Sequence, residues 1–159
     1  HGHERKGVGS LKISTQSRYG LRAMVSLAVF GGEAPLSLAL VAQREGISLN
    51  YLEQVAAMLR KAGLIRSVKG AQGGYRLAES PDRLTVGRIL RALEGDLSIL
   101  DEADLVPTPD ESPIHRCLRL RVWEPLNDVL SDLADQTTLE DLAARYRTLA
   151  GIDPLVYQI

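Results

Sequence analysis

Apolar residues recur three and four positions apart between Ser48 and Gly63, a spacing that places them on one face of a helix. The predicted buried residues are Leu52, Val55, Ala56, Leu59 and Ala62. Ser48 is a good N-cap, because its hydroxyl can accept a hydrogen bond from a backbone N–H in the first turn. Gly63 supplies a left-handed stop. The pattern therefore predicts a helix over residues 49–62 with both ends defined.

The residues that follow predict a β-hairpin. Residues 64–68 and 75–77 favour strands, with a glycine-rich turn between them. The glycines are Gly70, Gly73 and Gly74, and the basic residues on or beside the loop are Arg66, Lys69 and Arg76. A helix followed directly by a basic, glycine-tipped hairpin is typical of the recognition helix and wing of a winged helix-turn-helix.

Two helical patterns precede these elements. The first covers residues 15–31, with Thr15 or Ser17 as its cap, and the second covers residues 36–44. The inward residues are predicted to be Leu21, Met24, Val25 and Ala28 in the first helix and Leu36, Ala39 and Leu40 in the second, with Gln43 at the same spacing. Gly46 then falls where a tight turn needs positive φ. Helix, short turn and capped second helix together indicate a helix-turn-helix.

In this motif the first residues of the second helix meet base edges in the major groove. Here those residues are Ser48, Asn50, Tyr51, Glu53 and Gln54. Asn and Gln can pair with adenine, Glu can accept from cytosine, and Ser can serve several bases. Lys69, just before the hairpin tip, can enter a minor groove, and Arg18 on the first helix can contact a phosphate. The alternative is a helical corner that exposes ordinary polar residues, but the basic hairpin favours nucleic acid.

Behind this domain the pattern changes. A capped helix over residues 85–94 closes the domain, and residues 96–113 are acidic and interrupted by prolines, which predicts a mobile loop. Residues 114–136 predict a long helix, with a kink at Pro125. Its apolar residues include Leu118, Val122, Leu126, Val129, Leu130 and Leu133. A lone helix cannot bury such a stripe, so a second copy of the chain is the expected partner.

The predicted fold is therefore mainly α with a small β-hairpin wing: a winged helix-turn-helix plus a long C-terminal dimerisation helix. Residues 1–10 are interpreted as a disordered tail or expression remnant, and residues 11–95 as the DNA-binding domain. Residues 96–113 are interpreted as a flexible acidic sensor loop, and residues 114–159 as dimerisation and sensor helices. The last block includes a shorter helix that begins after Thr137 and Thr138.

Charge divides the chain at the same place. The 159 residues carry a net charge of −1, but residues 11–95 hold 12 Lys and Arg against 6 Asp and Glu, whereas residues 96–159 hold 5 against 13. A basic front half on an acidic rear half predicts polyanion binding through the front half. No apolar run reaches the roughly 20 residues of a membrane span. No apolar signal sequence is visible and the single Cys suits the cytosol, so a cytoplasmic protein without a membrane partner is expected.

Other functional classes fit the residues less well. No nucleophile, base and acid occur together in a motif context, so the sequence does not predict an enzyme. The glycine-rich loop is not followed by Gly-Lys-Ser/Thr and a helix, so it does not predict a nucleotide-binding loop. A winged-helix module that binds proteins and not DNA remains the alternative to a DNA-binding regulator.

Several motifs match one known family over nearly all of residues 11–143. They are Lys-Ile-Ser-Thr…Arg-Tyr-Gly-Leu-Arg-Ala-Met at 12–24, Ile-Ser-Leu-Asn-Tyr-Leu-Glu-Gln at 47–54, Leu-Arg-Lys-Ala-Gly-Leu-Ile-Arg-Ser-Val-Lys-Gly-Ala-Gln-Gly-Gly-Tyr-Arg-Leu at 59–77, Leu-Thr-Val-Gly-Arg-Ile-Leu-Arg-Ala-Leu-Glu-Gly at 84–95 and Cys…Trp at 117–123. The chain thus resembles the Rrf2 (BadM) family of bacterial transcription regulators. The resemblance implies a homodimer on a palindromic operator, with Ser48, Asn50, Tyr51 and Glu53 facing bases, and the regulator is expected to be a repressor. It also places Lys69 where the family often has a wing Arg, and Arg18 near a phosphate.

The same resemblance bears on a cofactor. Cluster-binding members carry three cysteines before and in the first turn of the dimer helix, whereas here Cys117 occupies the last position alone and Leu120 replaces a ligand His. Iron–sulfur clusters are normally held by several thiolates. The expectation is therefore a regulator without cofactor or metal, closer to the family's cluster-free cysteine-metabolism repressors. A non-standard cluster held by His115, Cys117 and a loop acid is the alternative.

Three interpretations of Cys117 stay open at this point. It can be a small buried hydrophobe. It can be a redox-sensing thiol, because His115, Arg116, Arg119 and Arg121 surround it in sequence and basic neighbours are typical of reactive cysteines. Or the region can respond to a small molecule or to a metabolic enzyme such as cysteine synthase, as the resemblance implies.

Overall fold

The computed structural model of the protein describes residues 13–97 and 100–152, so the predicted tail over residues 1–10 and the C-terminal residues 153–159 lie outside the described part. The α-helices are α1 (Thr15–Ser26), α2 (Leu38–Glu45), α3 (Leu49–Lys61), α4 (Val86–Glu94), α5 (Glu102–Leu105), α6 (Pro113–Leu118), α7 (Glu124–Gln136) and α8 (Leu139–Leu149). The strands are β1 (Ile65–Val68) and β2 (Gly74–Leu77), and π-helical turns cover Leu27–Gly31 and Arg119–Trp123. The strands pair antiparallel. The prediction of a mainly α fold with a small β-hairpin wing is confirmed.

One core joins the front and rear of the chain. Its largest fully buried apolar side chains are Met24, Leu52, Leu59, Leu84, Ile89 and Leu139. The Leu139 N–H donates to the Leu84 carbonyl at 2.9 Å, and the Val86 N–H donates to the Thr137 carbonyl at 2.9 Å. The start of α8 is therefore built into the same core as the helix-turn-helix.

The predicted cap of α1 was wrong. Ser14, and not Thr15 or Ser17, is the N-cap, because its hydroxyl accepts from the Ser17 N–H at 3.1 Å. The side chain of Ser17 is buried. The most buried face of the helix consists of Ser17, Gly20, Ala23 and Met24, whereas the predicted inward residues Leu21, Val25 and Ala28 are only half-buried.

The predicted start of α2 was also wrong, and of its predicted inward residues Leu36 alone is buried. The helix begins at Leu38, because the preceding Leu36 pairs with the wing: each backbone N–H of Leu36 and Tyr75 donates to the other residue's carbonyl at 2.9 Å. The inward residues are Leu38, Val41 and Ala42, and the predicted Ala39, Leu40 and Gln43 are exposed. The observed stripe lies two positions on from the predicted one, which corresponds to about 200° around the helix.

The long helix predicted over residues 114–136 is observed over 113–136 as α6, a π-helical turn and α7 in sequence. The Glu124 N–H donates to the Arg119 carbonyl, five residues back, directly before Pro125. Because proline has no N–H to donate, the ladder changes its pattern next to the predicted kink. The helix is joined to the core through α4, which packs against α7.

The acidic segment contains secondary structure in its described part. The short helix α5 lies within it, and Ser112 caps α6 by accepting from the His115 N–H at 3.1 Å. Its mobility stays a prediction. None of the helices within residues 13–97 and 100–152 combines the length and the apolar composition of a membrane-spanning segment.

Candidate nucleic-acid interface

The turn between α2 and α3 fixes the direction of the second helix. Gly46 has a φ of 64°, as the sequence predicted, and the Ile47 N–H donates to the Ala42 carbonyl at 3.0 Å. Ile47 is buried and anchors the turn to the core. Ser48 then caps α3, because its hydroxyl accepts from the Tyr51 N–H at 3.4 Å. One acceptor site of Ser48 is therefore occupied by the helix itself.

The two faces of α3 separate as predicted, with one exception. Leu52, Val55, Ala56 and Leu59 are buried. Asn50, Glu53 and Gln54 are exposed on the first turns of the helix, where polar groups can reach a ligand. Ala62 was predicted to be buried, but it is exposed, because the helix ends at Lys61 and Ala62 is its C-cap.

Tyr51 differs from its polar neighbours, because it is half-buried and packs against the core. Its ring meets the Tyr19 ring edge to face, with centroids 5.6 Å apart and planes at 89°. The guanidinium of Arg22 lies 5.7 Å from the Tyr19 ring centre. Tyr51 therefore helps to pack α3 against α1, and it is also the neighbour of the exposed Asn50 in sequence.

The wing depends on its glycines for different reasons. Gly70 has a φ of 124°, which favours glycine. A Cβ at Gly73 would lie 2.6 Å from the Val68 carbonyl oxygen, and a Cβ at Gly74 would clash with the Leu36 carbonyl. The second clash matters most, because it would break the pairing that joins α2 to the wing.

The helix α3 and the hairpin wing line one groove together. Leu49 and Glu53 of α3 line it together with Gly73, Gly74 and Tyr75 of the hairpin. Lys69 is exposed just before the tip and does not line this groove, and Arg18 is exposed on α1. The structure thus brings Glu53 next to the wing, whereas neither Lys69 nor Arg18 lines this groove.

The structure separates the basic residues of the wing region into two groups. Arg76 donates a hydrogen bond to the Glu33 carbonyl, so its guanidinium is held by a contact within the fold. Arg66 is exposed and lines a second groove with Arg60, at the end of α3. The sequence analysis did not single out Arg60, although its place one turn before the helix stop at Gly63 could have identified it.

Cys117 lies on α6 and is exposed, so it is not a core residue of this chain. Its neighbour Arg119 is buried and points to carboxylates: its Nε lies 2.7 Å from Glu111 Oε1 and its Nη1 lies 2.8 Å from Glu124 Oε1. The hydrogen bonds from Arg119, with a smaller contribution from His115, lower the pKa of Glu111 to about 2. One of the basic neighbours of Cys117 is therefore already neutralised by acids.

The same contacts limit what this region can hold. His115 Nδ1 lies 2.8 Å from Glu111 Oε1, and its Nε2 lies 3.0 Å from the Ala103 carbonyl oxygen. Arg119 binds both carboxylate oxygens of Glu111. Within residues 13–97 and 100–152, no three His, Cys, Asp or Glu side chains are grouped as metal ligands. One cysteine beside these occupied groups does not fit an iron–sulfur cluster, which is normally held by several cysteines.

Comparison with known proteins gives a consistent result. The family model described as "Rrf2: Iron-dependent Transcriptional regulator" matches residues 13–145. The HTH-type transcriptional regulator CymR of Bacillus subtilis is 44% identical over 134 residues, which is 84% of this chain and 91% of that protein. The solved structure of CymR (YrzC), described as the global cysteine regulator of B. subtilis, covers 86% of this chain and 98% of its own with a TM-score of 0.74.

Two further solved structures are similar. The oxidised form of Staphylococcus aureus CymR is 41% identical, covers 84% of this chain and 96% of its own, and has a TM-score of 0.65. IscR of T. potens is 38% identical, covers 95% of this chain and 99% of its own, and has a TM-score of 0.71. All of these names belong to transcriptional regulators and none to an enzyme, as the sequence analysis predicted.

Proposed function

This chain belongs to the Rrf2 family of transcriptional regulators, and on that premise we propose that it is a homodimeric repressor that binds a palindromic DNA operator. In each copy α3 enters the major groove, and Asn50, Glu53 and Gln54 read base edges, with Ser48 and Tyr51 beside them. Lys69 approaches the adjacent minor groove and Arg18 contacts a phosphate.

One observation carries the DNA-binding part. The turn at Gly46 and the cap at Ser48 hold a row of exposed polar side chains at the start of α3, and Glu53 lines a common groove with the wing. These elements lie in the half of the chain that holds 12 Lys and Arg against 6 Asp and Glu. Exposed hydrogen-bonding groups on a helix end in a basic domain suit a groove of duplex DNA.

The proposal of a dimer is supported by exposed apolar side chains on the long helix. Ile114, Val129 and Leu133 are 76%, 64% and 66% exposed, which is far more than such side chains usually are in a monomer. A second copy with the same stripe, packed about a twofold axis, would bury them. It would also hold two copies of α3 about 34 Å apart, which is one turn of duplex.

The DNA-binding proposal is tested by salt. An operator is selected from random duplexes, and binding is followed by fluorescence anisotropy at several salt concentrations. The logarithm of affinity should fall linearly with the logarithm of salt, with a slope of about −0.9 per neutralised phosphate. Lys69→Gln and Arg18→Gln should each remove about one neutralised phosphate, so each should make that slope shallower by about 0.9. Arg145→Gln removes an equal charge from an exposed position on α8 and serves as the control.

No binding to any duplex at low salt would contradict the proposal and favour a winged-helix module that binds proteins. The dimer is tested separately by sedimentation velocity. Leu133→Asp should give monomers, because a charge in the paired stripe would be buried without a partner. Leu149→Asp changes an equally exposed leucine at the end of α8, and it should leave the dimer intact.

The signal is proposed to act on the region 96–123. A redox signal at Cys117 is favoured by the exposure of its thiol, and a solved relative is described as an oxidised form. A protein signal is the other candidate, since a relative is described as a global cysteine regulator. Cysteine synthase is the metabolic enzyme to test, by measuring whether it binds the repressor–operator complex.

A further inference from the structure

A cavity of about 640 Å³ opens at the surface of the protein. Its walls come from α1, the π-helical turn that follows α1, the end of α2, and α8. Its walls are mainly apolar, and Leu21, Val25 and Val29 form them together with the rings of Phe30 and Tyr146. A volume of this size is typical of small-molecule sites, which are lined by apolar and aromatic side chains with few polar groups. This volume could accommodate a ligand with an apolar body.

The aromatic corner of the cavity is ordered by its own contacts. The rings of Phe30 and Tyr146 meet edge to face with centroids 5.6 Å apart. The guanidinium carbon of Arg44 lies 4.2 Å from the centre of the Phe30 ring. Phe30 is nevertheless 42% exposed, so the corner offers ring surface that the described residues do not cover.

The charges at the rim are unequal. Arg22 Nε lies 3.0 Å from Glu45 Oε1, and Arg22 also donates to the Glu45 carbonyl, so these two charges compensate each other. Arg44 forms no ion pair with any carboxylate of residues 13–97 and 100–152. An uncompensated guanidinium beside an apolar cavity favours an anion that carries an apolar group, because Arg binds carboxylates through paired N–H donors.

From this combination we propose that the cavity is an effector site for a small carboxylic acid with an aryl or branched apolar body. The carboxylate binds Arg44, and the apolar body contacts Phe30, Tyr146 and Val29. Arg44 and Glu45 are the last two residues of α2 and directly precede the turn at Gly46. A ligand that binds them acts on the element that sets the direction of α3. This regulatory role rests on the proposed function, whereas binding itself does not.

Calorimetric titration of the full chain without DNA tests the binding. The probes are 3-phenylpropionate and 4-methylpentanoate, each compared with the alcohol of the same skeleton. The acids should bind at least about tenfold more tightly than the alcohols, because a hydrogen bond to a charged group is worth that much. Arg44→Gln should remove this preference, while Arg145→Gln, an equal charge change on an exposed part of α8, should preserve it.

Filling the cavity gives the second test. Val29→Phe should weaken both acids and alcohols while the circular dichroism spectrum and the melting temperature stay close to those of the parent. Equal affinity for acids and alcohols, or no binding by either acid at millimolar concentration, would overturn the proposal. A Val29→Phe variant that loses dimerisation would also overturn it, because the cavity would then be a surface between subunits. Operator binding is measured separately. A protein that binds the acids but no DNA would support the ligand site and contradict the proposed function only.

Discussion

Arg91 on α4 and Asp135 on α7 form a two-pronged salt bridge that joins the winged-helix domain to the long helix. Arg91 Nη1 lies 2.5 Å from Asp135 Oδ1, and Arg91 Nη2 lies 3.0 Å from Asp135 Oδ2. The pair raises the pKa of Arg91 and lowers that of Asp135. Gly87 makes room for it, since a Cβ there would lie 2.7 Å from Arg91 Nη1 and even closer to Asp135 Oδ1.

Loss of this bridge should change stability only slightly. Both side chains are more than 40% exposed, and exposed ion pairs contribute little because water and salt screen them. Asp135→Asn should lower the melting temperature by no more than a few degrees at low salt, and by less in molar salt. A double-mutant cycle with Arg91→Gln isolates the pair. A coupling that stays large in molar salt would show that the bridge has a different role.

Gly20, the one glycine of α1, is expected to be sensitive to substitution because the helix packs closely around it. A Cβ at this position would lie 2.2 Å from Leu93 Cδ1 and 3.3 Å from Val55 Cγ1, and both of these side chains are buried. Gly20→Ala should lower the free energy of unfolding by about 1–2 kcal/mol, because overpacking outweighs the gain in helix propensity. Gly31→Ala is the matched control, since a Cβ there meets nothing within 4 Å. Denaturant titration of both variants measures the difference, and equal stability would contradict the packing.

The helix α3 could be predicted closely because its signals are local: a serine cap, a four-residue buried stripe and a glycine stop all lie within sixteen residues. The start of α2 could not, because it depends on pairing between Leu36 and Tyr75, which are far apart in sequence. The partner of Arg119 was unpredictable for a different reason: Glu111 precedes the helix, so helical spacing does not place its carboxylate beside the guanidinium. Local patterns thus identified the candidate interface, whereas contacts between elements decided which of its residues are free.

Asn50 and Tyr51 should respond differently to truncation. Asn50 is exposed, so Asn50→Ala should reduce operator affinity by about 1–3 kcal/mol, the usual value of one base contact, and leave the melting temperature unchanged. Tyr51→Ala should lower operator affinity and stability together, because it removes the ring that packs on Tyr19. Tyr51→Phe keeps the ring and isolates the hydroxyl. Anisotropy and thermal melts compare the three variants. Destabilisation by Asn50→Ala would mean that this residue supports the fold.

Cys117 should matter only under oxidising conditions. In reducing buffer, Cys117→Ser should bind the operator with the affinity of the parent, since the thiol is exposed and packs no core. Hydrogen peroxide converts a thiolate to a sulfenic acid and releases hydroxide, and this should weaken operator binding by the parent alone. Anisotropy before and after treatment, with mass spectrometry of the modified residue, provides the measurement. Oxidant sensitivity that persists in Cys117→Ser would refute the thiol-sensor interpretation.

The anchor of the acidic segment should be sensitive to acid. Arg119 and His115 lower the pKa of Glu111 from 4.5 to about 2 in the folded chain. Because the unfolded chain takes up this proton at higher pH, the stabilisation by Glu111 is present above about pH 4.5 and disappears as the pH falls through 2. Glu111→Gln should therefore be less stable than the parent at pH 7, and the difference should shrink between pH 4.5 and 2.

Denaturant unfolding from pH 2 to 7 measures this difference, and hydrogen exchange over residues 101–119 shows whether it arises in the segment itself. Glu140→Gln is the control, because Glu140 is exposed on α8 and forms no ion pair with a basic side chain of residues 13–97 and 100–152. Its stability should follow that of the parent at every pH. A difference for Glu111→Gln that is constant with pH would show that the carboxylate charge does not hold the segment on the long helix.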